Sequence, residues 1–191
     1  MGMSNLKKKR KITILDIALI GVMTAMLEVC KTALSFLPNV ELVSFWIIMF
    51  TLFFGWRMLF VIPVFVLIEG CIYGFGSWWF MYLYVWPLLA GIAYINRRQQ
   101  SMWFWSILSS VFGLMYGFFC TPVHGAMSIA SGGFEKGMYA AFAWWIAGIP
   151  YDIVHGAANF AVMAVCYTPV RRAMEKLSPL PRCPQTMTER K

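Results

Sequence analysis

Hydrophobic residues are gathered into six long segments, which are separated by short breaks that carry charged residues, glycine or proline. The segments cover residues 13–36, 42–54, 58–75, 78–95, 102–121 and 139–167. An α-helix needs about 20 apolar residues to cross the hydrocarbon core of a bilayer. Segment 42–54 is shorter than this, and we expect it to be tilted or partly interfacial. The pattern predicts an all-α integral membrane protein, folded as a bundle of six transmembrane helices.

Basic residues mark the ends of these segments and predict the topology. The first segment follows the block KKKRK at residues 7–11. Lysine and arginine are enriched in cytoplasmic loops, so the N-terminus is predicted to be cytoplasmic. Six crossings then place Arg57, Arg97 and Arg98 on the same side, together with Arg171 and the C-terminus. We therefore predict a multi-pass protein of the plasma membrane with both termini in the cytoplasm.

The chain divides into three predicted parts. Residues 1–12 form a basic cytoplasmic N-terminus, and residues 13–172 form the membrane domain. Residues 173–191 form a polar, proline-rich cytoplasmic tail, which is predicted to be disordered. Residues 121–137, between the fifth and sixth segments, are expected to form an outer loop. This loop is long and contains Gly132, Gly133 and Gly137, and it could act as a lid.

Composition supports a membrane protein and excludes several other classes. Hydrophobic residues make up 60% of the chain and charged residues 13%, which is more apolar than a soluble domain requires. The net charge of +8 does not indicate nucleic-acid binding, because the basic residues lie at segment ends. The five cysteines are scattered without a C-x-x-C motif, which predicts packed free thiols. No P-loop is present, and we predict no catalytic residue, cofactor or metal site.

Polar residues interrupt the sixth segment within the sequence GIPYDIVHGAANF. Trp145, Asp152 and Asn159 lie seven residues apart, so they share one face of a helix with Gly148 and His155. A carboxylate is costly in lipid, and Asp152 is therefore expected to face the bundle interior. Two interpretations remain open for this face: a ligand site, or a hydrogen-bond network that holds the helices together.

Further candidate residues lie in the outer half of the predicted bundle. Trp79, Tyr82 and Trp86 follow helical spacing, and Trp86 lies deeper than an interfacial aromatic belt requires. Glu69 has no basic neighbour in its own segment, and a salt bridge to Lys31 is the alternative to a role in ligand binding. Glu28 and Lys31 could likewise neutralise each other. Acidic groups outnumber Lys31 here, which favours a cationic or amine-bearing aromatic ligand. The predicted ligand-binding residues are Glu69, Trp79, Tyr82, Trp86, Trp145, Asp152 and Asn159.

Small residues form a ridge on each of two segments. In the first segment the ridge consists of Ala18, Gly21 and Ala25. In the fifth it consists of Ser106, Ser109, Gly113, Gly117 and Cys120. Small residues let membrane helices approach closely. Each ridge could pack within this chain or dock onto another membrane subunit.

These features, in this order, resemble the substrate-binding S component of an energy-coupling factor (ECF) vitamin transporter. The resemblance covers residues 13–172 and is carried by the first ridge, LPNVELVSFWIIMFTLFFG, VLIEGCIYGFGSWW, YLYVWPLL and GIPYDIVHGAANF. The family has an Ala-x-x-x-Ala pattern on its first helix, and here Gly21 takes the first position.

The resemblance implies a substrate-capture subunit of an ABC-type importer rather than an enzyme. Such a subunit binds a vitamin or related micronutrient outside the cell. It docks through the first ridge, Ala18, Gly21 and Ala25, onto a membrane T subunit that two cytoplasmic ATPases energise. Two alternatives remain: a membrane enzyme that uses Asp152 and His155 as an acid–base pair, and a scaffold subunit that binds no ligand.

Overall fold

The computed structural model describes residues 12–177, and within this range the chain is helical without a strand. Seven α-helices follow one another: α1 (Ile14–Ala33), α2 (Val43–Phe54), α3 (Met58–Tyr73), α4 (Ser77–Ile95), α5 (Met102–Leu114), α6 (Tyr116–Gly132) and α7 (Phe134–Leu177). A 3₁₀ turn at Gly55–Arg57 connects α2 to α3. The all-α class is confirmed. The predictions for the basic block and for residues 178–191 lie outside the described residues.

Within residues 12–177, four helical stretches are long and apolar enough to cross a membrane. They are Val43–Tyr73, Ser77–Ile95, Met102–Gly132 and Phe134–Lys176. These stretches indicate a membrane-embedded protein. Helix α1 has 20 residues but does not belong to this group, and its apolar sequence is interrupted by Asp16, Glu28 and Lys31.

The helices α1 to α4 begin and end within a few residues of the predicted segments, but the expected outer loop at residues 121–137 is wrong. Helix α6 continues to Gly132, and α7 already begins at Phe134. The chain reverses its direction between α6 and α7 at Gly133 alone, whose φ of +83° suits glycine. The glycines of this region therefore mark a tight turn between two helices. Pro150 also lies inside α7 without ending it, as membrane helices tolerate.

Two ion pairs define the relative direction of α1 and α3. At the start of both helices, the Nε atom of Arg57 donates to Oδ1 of Asp16 at 2.7 Å. At the other end, Lys31 forms an ion pair with Glu69. The two helices therefore run parallel.

Helix α2 runs in the opposite direction to α1 and α3. It begins after the loop at residues 34–42, which follows the end of α1, and it ends at Gly55 near the Asp16–Arg57 pair. The φ of +53° at Gly55 interrupts the helical backbone. The apolar stretch Val43–Tyr73 is thus two short antiparallel helices. Eight of the 12 residues of α2 are buried, so neighbouring helices rather than lipid cover this short segment.

Helices α5 and α6 follow one another along α7, run antiparallel to it and pack closely against it. Helix α4 packs against α2, α3 and α6. The ridge on α5 and α6 is buried against α7, and a Cβ atom added to Gly113 would lie 2.9 Å from the Cα atom of Gly156. Two glycines therefore let the backbones approach closely. This confirms the internal-packing interpretation of the second ridge, which comprises Ser106, Ser109, Gly113, Gly117 and Cys120.

The Asp16–Arg57 ion pair gives a first prediction. Both residues are buried, with 2% and 5% of their surface exposed. Arg57→Met leaves the Asp16 carboxylate buried without its counter-ion, and we expect a lower Tm for the purified protein in detergent. Asp16→Leu combined with Arg57→Met removes both charges and should recover part of the loss. Arg97→Met, at an exposed arginine, is the control. A wild-type Tm for Arg57→Met would contradict the assignment.

Candidate functional site

Polar and aromatic side chains from α1, α3, α4, α6, α7 and the loop before α2 come together between the helices, and all of them except the exposed Tyr73 are buried or half-buried. We call this group the aromatic–acidic cluster. Its members are Glu28, Lys31, Glu41, Glu69, Tyr73, Trp78, Tyr82, Trp86, Tyr116 and His155.

One half of the aromatic–acidic cluster surrounds the ammonium group of Lys31. This group forms an ion pair with Glu69, whose side chain is fully buried. It also lies 5.1 Å from the ring centroid of Tyr73, 5.6 Å from that of Trp78 and 4.9 Å from that of Tyr82. These distances are within the range of cation–π interactions. The salt bridge between Glu69 and Lys31, which the sequence analysis considered as the alternative to ligand binding by Glu69, is therefore formed.

Glu28 lies one turn before Lys31 on α1. Both of its carboxylate oxygens are buried, and neither has a hydrogen-bond partner among the described residues. A buried carboxylate without donors is costly. The lysine of this helix is thus engaged by Glu69, and the hydrogen-bonding capacity of Glu28 is unused.

The other half of the cluster is built around Glu41, which precedes α2. Its carboxylate accepts the backbone N–H of Ser44 at 3.1 Å and stabilises the start of the helix. Nε2 of His155 lies 3.3 Å from Oε1 of Glu41. Burial raises the pKa of Glu41, but the contacts with His155 and Ser44 outweigh burial and hold the pKa below its usual value. The carboxylate is therefore ionised at neutral pH.

A row of aromatic rings joins the two halves. The ring centroids of Trp78 and Tyr82 are 5.2 Å apart, and those of Tyr82 and Trp86 are 5.3 Å apart. Trp86 then contacts Tyr116 at 5.8 Å, and Tyr116 contacts His155 at 4.8 Å. Trp86 is 2% exposed, and its indole N–H has no hydrogen-bond partner among the described residues. The row therefore contains a buried donor without an acceptor.

Asp152 lies one helical turn from His155 and binds the start of α6. The helical path of α5 is interrupted at Met115, and the backbone N–H of Gly117 donates to Oδ1 of Asp152 at 3.0 Å. A carboxylate complements the free N–H groups and positive dipole at a helix N-terminus. The second oxygen, Oδ2, is buried without a hydrogen-bond partner in the described part of the chain. Asp152 thus joins α7 to α6 within the bundle interior.

The structure brings some predicted ligand-binding residues together and separates others. Glu69, Tyr82 and Trp86 belong to the aromatic–acidic cluster, and Asp152 borders it. Trp79, Asn159 and Trp145 make contacts elsewhere, which are described next.

Three predicted residues contact neighbouring helices outside the cluster. The Nε1 atom of Trp79 donates to the carbonyl of Val66 at 2.9 Å. The Nδ2 atom of Asn159 donates to the carbonyl of Ser109 at 3.4 Å. Trp145 packs against Phe118 on α6, with ring centroids 5.5 Å apart. Trp79 and Asn159 thus connect pairs of helices, and the contact of Asn159 is of the kind that the network interpretation of the sixth segment expects.

Glu41 and Tyr116 belong to the cluster but were missed by the sequence analysis. Glu41 could have been noticed as an acidic residue directly before a short apolar segment, where it can stabilise a helix start. Tyr116 carries no comparable signal, because it is one of many aromatic residues in the fifth segment. The acid–base pair considered for Asp152 and His155 has a different arrangement, since Asp152 binds Gly117 and His155 contacts Glu41.

The first ridge lies on the outer surface of the described bundle. Ala18, Gly21 and Ala25 are exposed. A Cβ atom added to Gly21 would have no other atom within 4 Å. Packing within the described part of the chain therefore does not account for this ridge.

A separate cleft of about 290 Å³ lies at the other end of the bundle, near Gln100, Tyr167 and Arg171. The Nη1 atom of Arg171 donates to the Gln100 carbonyl at 3.3 Å and to the Tyr167 hydroxyl at 2.7 Å. Its Nε atom donates to Glu175 at 3.0 Å. These groups satisfy one another, so the aromatic–acidic cluster is the better candidate for a ligand site.

No family model, curated protein or solved structure matches this chain. Among residues 12–177, no group of three or more His, Cys, Asp or Glu side chains could hold a metal ion.

The contact between Asp152 and α6 gives a second prediction. A Cβ atom at Gly117 would lie 2.4 Å from Oδ2 of Asp152, so Gly117→Ala must displace the carboxylate from the helix start. We expect this to cost roughly 1–3 kcal/mol of stability. Gly148→Ala is the control, because its added Cβ would meet no atom within 4 Å. Equal Tm values for the two variants would show that Asp152 does not hold α6.

Proposed function

We propose that this chain is the substrate-capture S subunit of an ECF-type ABC importer for a vitamin or related micronutrient. The observation that carries the proposal is the aromatic–acidic cluster, which combines rings, charges and unsatisfied buried polar atoms. Ligand sites in membrane bundles lie between helices and use a few polar groups to orient the ligand. Intramembrane ionisable residues are also mostly functional.

In this proposal the chain crosses the plasma membrane six times, and both termini are cytoplasmic. Helices α5 and α6 together make one crossing. The alternation of direction in α1, α2 and α3 supports this topology. The topology is also supported by three arginines, which lie at or near helix ends on one side of the bundle: Arg57, Arg97 and Arg171. The aromatic–acidic cluster then lies toward the outside, where a transport substrate is captured.

The composition of the cluster favours a cationic or amine-bearing heterocycle as the ligand. The carboxylates of Glu28, Glu41 and Glu69 face one lysine, Lys31, and one histidine, His155. Aromatic rings offer stacking and cation–π contacts to such a ligand. The unpartnered oxygens of Glu28 could accept hydrogen bonds from its amine groups.

The exposed first ridge, Ala18, Gly21 and Ala25, supports a docking role for α1. Small residues on a lipid-facing helix surface allow a partner helix to pack closely. The partner in this proposal is the membrane T subunit, with two cytoplasmic ATPases as the source of energy. The absence of a P-loop from this sequence is compatible with that division of labour.

The test of ligand binding is native mass spectrometry of the purified chain, which should reveal a co-purified small molecule. Trp86→Phe removes the unpartnered indole N–H but keeps an aromatic ring. We expect roughly a tenfold loss of affinity for that molecule, as for one lost hydrogen bond. Trp145→Phe changes a tryptophan outside the cluster and should bind normally. No bound molecule in the wild-type chain would favour the scaffold alternative, and turnover of that molecule would favour an enzyme.

A second test concerns docking. Gly21→Leu places a bulky side chain on the first ridge, where it should hold the T subunit away and abolish transport. Ligand binding to the purified chain should be unchanged, because the added atoms point away from the bundle. Gly91→Leu is the matched control, since Gly91 is also exposed and has open space around it. If Gly21→Leu transports normally, the ridge is not the docking surface.

A further inference from the structure

We infer that Glu69, Tyr73, Trp78 and Tyr82 form a site for an organic ammonium ion, which the protein's own Lys31 fills when no ligand is bound. We call these four residues the ammonium cage. We further infer that an amine-bearing ligand binds by displacing Lys31. The second inference rests on the proposed function, whereas the first concerns only the chemistry of the cage.

The geometry of the cage is that of a cation site. Three ring centroids lie 4.9–5.6 Å from Nζ of Lys31, and cation–π attraction extends to about 6 Å. Glu69 supplies the negative charge and is completely buried. Apart from Lys31, neither oxygen of Glu69 has a hydrogen-bond partner among the described residues. The cage therefore depends on a cation to compensate the buried carboxylate.

The charges around the cage exceed what Lys31 can neutralise. Glu28 lies on the preceding turn of α1, and both of its buried oxygens lack donors. A ligand with a second amine or ring N–H could use these oxygens, which Lys31 does not. Lys31 thus satisfies part of a site that has capacity for a larger cation.

Lys31 is placed so that it can leave while the cage remains. It lies in the last turn of α1, and 26% of its side chain is exposed. Its flexible four-carbon chain allows the ammonium to move to solvent. The cage residues, in contrast, come from α3 and α4, and Trp78 and Tyr82 contact each other edge to face at 5.2 Å. An uncompensated Glu69 is costly, so displacement requires that another cation takes the place of Lys31.

Chemical rescue tests the cage without reference to transport. Lys31→Ala leaves the cage without a cation and should lower the Tm. Added n-butylammonium, which has the length and charge of a whole lysine side chain, should restore about half or more of the lost Tm at saturation. n-Butanol has a similar shape without the charge and should not. Lys136→Ala, at an exposed lysine of α7, should show neither effect. An unchanged Tm for Lys31→Ala, or equal rescue by butanol, would overturn the cation site.

Displacement has a separate test in Lys31→Met, which keeps the length of the side chain and removes the competing charge. We expect benzylammonium to bind this variant about tenfold or more tightly than the wild type, measured by tryptophan fluorescence. Lys136→Met should bind as the wild type does, and benzoate should bind none of them. Equal affinity of Lys31→Met and wild type for benzylammonium would overturn displacement.

The two tests are independent of the proposed importer function. Rescue and tighter amine binding, together with a chain that carries no co-purified molecule and supports no uptake, would retain the cage and reject the importer. A co-purified micronutrient that binds Lys31→Met and wild type equally would retain the importer and reject displacement of Lys31.

Discussion

A carboxylate inside an apolar bundle is costly unless a cation or hydrogen-bond donors compensate it, and the arrangement of α1 and α3 depends on two carboxylate–cation pairs. Asp16 pairs with Arg57 at one end of the two helices, and Lys31 pairs with Glu69 at the other. Hydrophobic packing alone is non-directional and would allow these apolar helices to slide or reverse. The two ion pairs specify one direction and one register. Helix α2 must then run back from the Lys31 end to the Arg57 end, and its packing against α4 and α7 helps to cover so short a helix in the buried interior.

Helices α5, α6 and α7 are held together by different contacts, namely close backbone approach and the hydrogen bonds of small polar groups. Gly113 and Gly156 allow α5 and α7 to touch, and Asn159 binds a carbonyl of α5. Asp152 then provides the acceptor that α6 needs where the helical path restarts after Met115. Polar residues of α7 thus stabilise the neighbouring helices α5 and α6 near the break between them. His155 links α7 to Glu41, in the loop between α1 and α2.

Helices α1 to α4 were predictable, because apolar length and glycine or charge at the breaks are local properties of the sequence. The connection between α6 and α7 could not be predicted, since the same glycines suit a flexible loop or a single tight turn. Only the packing of α6 on α7 distinguishes these two conformations. Periodicity placed Asp152 correctly in the interior. It could not separate Trp86, which joins the cluster, from Trp79 and Trp145, which contact other helices. A helical stripe defines a face, whereas the partner of each side chain depends on the register between helices.

Helix α1 connects the two parts of the proposed function. Its inner face supplies Lys31 and Glu28 to the aromatic–acidic cluster, and its outer face carries the exposed ridge, Ala18, Gly21 and Ala25. Within the described residues, the ion pairs of α1 with α3 and the preceding turn are Lys31–Glu69 and Asp16–Arg57. If a ligand displaces Lys31, the first of these is lost and the Asp16–Arg57 pair remains as the charged attachment of α1. The ligand would then weaken the attachment of one end of α1, the helix that carries the proposed docking surface, because the side chain that fills the site also anchors that helix.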